Sequence, residues 1–137
     1  RRFNLLARGA AWFGTTRSLP KDVRAAYAGV YDGWDQAIST LRFMQDIPLD
    51  AGDRAMPIVQ AAAAALPGYA DRPAFIGWGL RDFVFDRHFL DGFRKALPRA
   101  IVRDFEDAGH YVLEDKHEVL VPAIRRFLDA HPLADAA

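Results

Sequence analysis

The chain has 137 residues, 51% apolar and 26% charged. That is enough for one domain with a core, not two, and nothing in the balance suggests disorder. Eighteen basic and eighteen acidic side chains cancel and there is no cysteine, which argues against nucleic acid or an anionic membrane surface as partner and excludes disulfides, Cys-bound metals and a thiol nucleophile.

No apolar run approaches the ~20 residues of a membrane span, and the Arg-Arg-Phe-Asn start lacks the apolar core of a signal peptide. A cytoplasmic protein is the expectation. The first fifty residues read as short helices joined by turns. Pro20 suits the first turn of a helix whose inner face carries Val23, Tyr27 and Val30, and Trp34, Ile38, Leu41 and Met44 repeat at helical spacing. Ile47-Pro48 breaks the pattern. Asp53 is placed to cap a further helix through Ile58, Val59 and the alanines at 61 to 65, ending near Pro67-Gly68.

The second half changes character. RPAFIGWG, residues 72 to 79, holds an unalternating apolar run from Ala74 to Trp78, the pattern of a strand covered on both faces and so of a parallel sheet. Asp86 then reads as the N-cap of a helix with Phe89, Leu90, Phe93 and Leu97 on one stripe, closed by Pro98. Ala100 to Phe105 is a second, more polar strand, near the sheet edge. Val119, Leu120, Ala123, Ile124, Phe127 and Leu128 mark a last helix, which is expected to start or bend just before Pro122 because a proline inside a helix removes a hydrogen bond and clashes with the preceding turn. Strand, helix, strand, helix is a crossover unit, but two strands alone make a poor sheet. Further strands are expected from another piece of chain.

In a parallel sheet the functional loops gather at the carboxyl ends of the strands. Those loops carry Asp82, in GWGLRDFVFD, and His110, in FEDAGHYVLED. Paired strands lie about 4.8 Å apart, so the two side chains are expected within hydrogen-bond reach. A carboxylate there orients an imidazole and stabilises its protonated form, while Gly109 allows the close turn. The alternatives are a turn residue at 82 and a loop histidine at 110. His88, His117 and His131 sit beside or beyond helix stripes, and Asp104, Glu106, Asp107, Glu114 and Asp115 read as solvated edges and a helix start. No His and carboxylate spacing suits a metal, and neither a metal nor a cofactor is expected.

FIGWGLRDFVFD followed by FEDAGHYVLED resembles the last two strands of an α/β-hydrolase, of the haloalkane dehalogenase-like kind. Within that group the chain is similar to the β-lactone decarboxylases of long-chain olefin biosynthesis. The resemblance implies an α/β fold represented by its C-terminal part, with a helical cap region over 1–48 and core over 49–137. It makes Asp82 the acid and His110 the base of a catalytic triad. The superfamily nucleophile sits in a Gly-x-Nuc-x-Gly turn upstream. This sequence has no such turn, and neither Ser18 nor Ser39 lies in one. The expected partner is therefore the N-terminal part of the same enzyme, as a second chain or a cleaved precursor. The expected substrate is an apolar small molecule, with Phe3, Trp12, Phe13, Tyr27, Tyr31, Trp34, Phe43 and Met44 available to a pocket or to packing. Haloalkane dehalogenase, epoxide hydrolase, esterase and a non-catalytic binding module are the other outcomes such a resemblance allows.

Overall fold

A computed structural model describes residues 5–31 and 33–132. Helices α1 (Leu5–Phe13), α2 (Lys21–Gly29), α3 (Ile38–Asp46) and α4 (Met56–Ala65) precede a 3₁₀ turn at Leu66–Tyr69. Strand β1 (Phe75–Gly79), helix α5 (Arg87–Ala96), strand β2 (Ile101–Phe105) and helix α6 (Val112–Ala130) follow. The chain divides into two compact units, Arg1–Pro67 and Gly68–Ala137.

In the first unit α1 packs on α2. Ala7 and Ala11, one turn apart and both buried, let the helices approach closely, and Leu19 is buried in the turn between them. Arg24 of α2 donates to the Leu19 carbonyl and stacks its guanidinium 4.4 Å over the Trp12 ring. Pro20 stands immediately before α2, one residue earlier than predicted. Val23 and Tyr27 are half-buried as their spacing requires, but the helix ends at Gly29 and Val30 is exposed.

Helix α3 begins at Ile38, not at Trp34. Gly33 takes φ +109° and its carbonyl accepts from Ala37, so residues 33 to 37 form a turn that leaves Trp34 outside the helix. Leu41 and Met44, predicted at helical spacing, are exposed. Periodicity gives a helix its face but does not supply something to cover it. The Asp53 side chain also departs from expectation. It accepts from Leu49 N at 2.6 Å and Asp50 N at 2.8 Å, closing the turn behind it, while α4 starts at Met56 with no side-chain cap.

The second unit is built on two parallel strands in the register Phe75↔Ile101 to Gly79↔Phe105. They are the only strands among the described residues. Side chains alternate across a strand, so Trp78 meets Phe93 of α5 with ring centroids 5.8 Å apart, while Phe75, three positions back, meets Phe127 of α6 at 5.8 Å. Among the described residues, Leu90 of α5 and Leu120 of α6 are the largest fully buried side chains. A Cβ on Gly77 would stand 3.0 Å from Leu120 Cδ2, so the glycine makes room for that leucine. Asp86 caps α5 as predicted, accepting from His88 N at 2.9 Å. The strands are only half covered, and Ile101 is exposed at the start of β2.

Helix α6 breaks at Lys116 (φ −134°, ψ 25°), not directly before Pro122, which stands inside the second segment. Among the described residues no helix is long and apolar enough to cross a membrane.

Candidate active site

The carboxyl ends of β1 and β2 are stitched together beyond the ladder. Leu80 N donates to the Phe105 carbonyl at 2.8 Å, Arg81 N to the Ala108 carbonyl at 2.9 Å, and Arg81 Nε to the Glu106 carbonyl at 2.9 Å. This approach requires Gly79. A Cβ there would lie 2.5 Å from the Ala108 carbonyl oxygen and closer still to that of Gly109. Gly109 itself is buried, and Gly33 is the positive-φ glycine among the described residues. Gly79 on β1 therefore lets the loops meet, since a side chain there would collide with backbone.

The two loops bring Asp82 and His110 together: Nδ1 of His110 is 2.9 Å from Oδ2 of Asp82. The carboxylate's other oxygen accepts from Val84 N at 2.8 Å and Phe85 N at 2.9 Å. Asp82 thus closes its turn with Oδ1 and faces the imidazole with Oδ2. Its side chain is 8% exposed and that of His110 29%, so the acid is enclosed and the ring keeps access to solvent. Phe85 and Tyr111 flank the ring, each 5.6 Å from it between centroids, and the Trp78 indole donates to the Phe85 carbonyl. An ionised carboxylate only accepts, so Nδ1 carries the proton shared with Asp82 and Nε2 remains the basic nitrogen.

Two carboxylates near the site are ion-paired. The Arg94 guanidinium, 2.6 Å from Asp104, holds that carboxyl below its ordinary value, and the Lys116 ammonium does the same for Asp107. Those two residues are exposed, as expected of solvated edges, and are ion-paired as well. Asp115 departs from that expectation. It is buried, 5% exposed, and accepts from Gly109 N at 2.7 Å. The only sequence signal for this was its position five residues after His110 at a helix start.

The other histidines are engaged locally. His88 meets the edge of Phe89, His117 pairs with Glu118, and His131 Nδ1 lies 2.7 Å from the Phe127 carbonyl. No group of three or more His, Asp or Glu side chains among the described residues could hold a metal ion. Trp12, Phe13, Tyr27, Tyr31, Trp34, Phe43 and Met44 lie in the first unit, where Tyr27 and Tyr31 are half-buried and the other five exposed. Phe3 lies outside the described residues.

Helices, two parallel strands and an imidazole–carboxylate pair at the strands' carboxyl ends define a partial α/β protein. No family model matches the chain. Over 133 residues, 97% of its length, it is 61% identical to the cis-3-alkyl-4-alkyloxetan-2-one decarboxylase of Xanthomonas campestris pv. campestris. Over 129 residues it is 45% identical to a protein of the same name from Shewanella oneidensis. An oxetan-2-one is a β-lactone, so the resemblance to β-lactone decarboxylases read from the sequence is borne out: the chain is a relative of these enzymes. It spans 44% and 41% of their lengths.

Proposed function

We propose that the chain is the C-terminal part of an α/β-hydrolase-type β-lactone decarboxylase, with His110 as its base and Asp82 as the acid that orients it. The observation that carries the proposal is the 2.9 Å contact between His110 Nδ1 and Asp82 Oδ2 at the joined ends of two parallel strands. The 61% identity to a named decarboxylase supports the choice of reaction.

Loss of carbon dioxide from a 3,4-dialkyl oxetan-2-one breaks the bond between the carbonyl carbon and C3 and the bond between C4 and the ring oxygen. C3 and C4 are left joined as an alkene. No atom is added and no electron is exchanged with a second reactant, so the stoichiometry needs neither an oxidant nor a reductant. What the reaction needs is management of charge and protons as the strained ring opens. His110 can hold or take a proton at Nε2, and Asp82 is the counter-ion for the imidazolium that results. The nucleophile, an aspartate by resemblance, and the groups that bind the developing negative charge belong to the remainder of the enzyme. That remainder is the partner proposed for this chain. The aromatic side chains of residues 1–48 are proposed to serve a cap region that encloses the alkyl groups.

The test is turnover of a cis-3,4-dialkyl oxetan-2-one by the full-length enzyme, followed as alkene released. His110→Ala is expected to lower kcat by about 10²- to 10⁴-fold, the usual contribution of a positioned base. Undiminished alkene release in that variant removes His110 from the mechanism, and turnover of haloalkanes or esters without turnover of the lactone reassigns the reaction.

A further inference from the structure

We propose that Asp115 is a positioning residue for the base, setting the place of His110 through the backbone of Gly109. This rests on the reading of His110 as the base. Among the described residues Asp115 is the most deeply buried charged one, at 5% exposure. A buried carboxylate is costly unless it is well hydrogen-bonded, and this one accepts from Gly109 N at 2.7 Å. Gly109 is the residue before His110, and the segment from Glu106 to Tyr111 belongs to neither helix nor strand. The backbone at 109 therefore has no regular ladder to hold it, and the carboxylate supplies the missing acceptor.

The break in α6 contributes to this arrangement. At Lys116 the backbone leaves the helical region, and the two residues at the break grip the same loop. Asp115 takes the Gly109 N–H, and the Lys116 ammonium takes the Asp107 carboxylate. The loop carrying the imidazole is thus tied to the start of α6 on one side and to β1 through Arg81 on the other. The ring in turn makes its hydrogen bond to Asp82. Releasing Gly109 lets the ring leave the geometry in which Asp82 orients it, without removing any group that meets the substrate.

The experiment compares Asp115→Ala and Asp115→Asn with His110→Ala in the full-length enzyme, with kcat and KM referred to folded protein. Amide hydrogen exchange at Gly109 is measured in the same variants. Asp115→Ala is expected to lower kcat by up to ~100-fold with little change in KM, since displacement of a catalytic group by about 1 Å costs that much. Exchange at Gly109 should become faster in the same variant. Asp115→Asn keeps an oxygen that can accept the Gly109 N–H and should restore most of both. If the alanine variant does not fold, Asp115→Leu fills the space without an acceptor and carries the same comparison. A wild-type kcat in the folded alanine or leucine variant, or an asparagine variant no better than it, overturns the proposal. If His110→Ala retains full turnover, the reading of the base fails instead, and the exchange rates alone then report whether Asp115 holds the loop.

Discussion

Two turns in this molecule are closed by the same device and lead to different ends. At residues 49–53 one oxygen of Asp53 accepts from Leu49 N and Asp50 N. At residues 82–85 one oxygen of Asp82 accepts from Val84 N and Phe85 N. Both are short-range contacts that an aspartate makes wherever the chain turns. Only Asp82 lies at the end of a strand whose parallel neighbour also ends in a loop, and there its second oxygen meets an imidazole 28 residues further along the chain. Local turn chemistry makes an ordered carboxylate. The sheet brings that carboxylate to an imidazole.

The comparison can be sharpened first by Asp82→Asn and Asp53→Asn in the full-length enzyme. Each amide keeps an oxygen for its own turn, so neither turn should open. At position 82, however, the imidazole loses its ionic partner and the tautomer that partner selects, and the corresponding change in a Ser-His-Asp triad costs kcat about 10⁴-fold. Asp53→Asn should leave kcat unchanged. Equal effects of the two substitutions on turnover would end the distinction drawn here between a turn and a site.

Gly79→Ala attacks the long-range arm directly. Its methyl group would meet the carbonyls of Ala108 and Gly109, which are backbone and cannot swing aside like the end of a side chain. Overpacking of this kind costs about 1–3 kcal/mol, and the His110 loop must move as well. Thermal denaturation should show the loss of stability, and kcat should fall although neither Asp82 nor His110 has changed. A variant with wild-type stability and turnover would mean that the loops do not approach as closely as described.

Much of this second region was legible in the sequence because it depends on regularities of short range or fixed geometry. The Asp86 cap, the two strands and the meeting of residues 82 and 110 follow from turn chemistry, apolar runs and the rule that parallel strands deliver their loops to one rim. Asp115 was not legible, because a carboxylate at a helix start is ordinarily solvated, and the break beside it at Lys116 is announced by no proline or glycine. Asp53 was misjudged for another reason. Its oxygen can reach N–H groups on either side, and only the folded turn shows that it faces backward. In the first unit the helical spacing of Leu41 and Met44 was real, but periodicity describes a face and not what covers it.

The smallest expected effect concerns Asp53 and tests whether its turn is the purely local device the comparison makes it. The Asp50 and Leu49 amides, in that order, hold its carboxyl below the ordinary value of 3.8. A carboxyl lowered by folding stabilises the folded state above its unfolded value, and that contribution is lost as the pH falls through the lowered one. Melting temperatures measured from neutral pH downward should therefore show a small acid-dependent loss at and below the ordinary carboxylate range. Asp53→Asn, which does not titrate, should flatten that part of the curve slightly. Because the group is exposed the difference will be slight, and turnover measured at neutral pH should not follow it. If acid destabilisation is the same with and without the carboxyl at 53, folding does not favour its ionised form, and the two amides in this turn serve a neutral acceptor as well as a charged one.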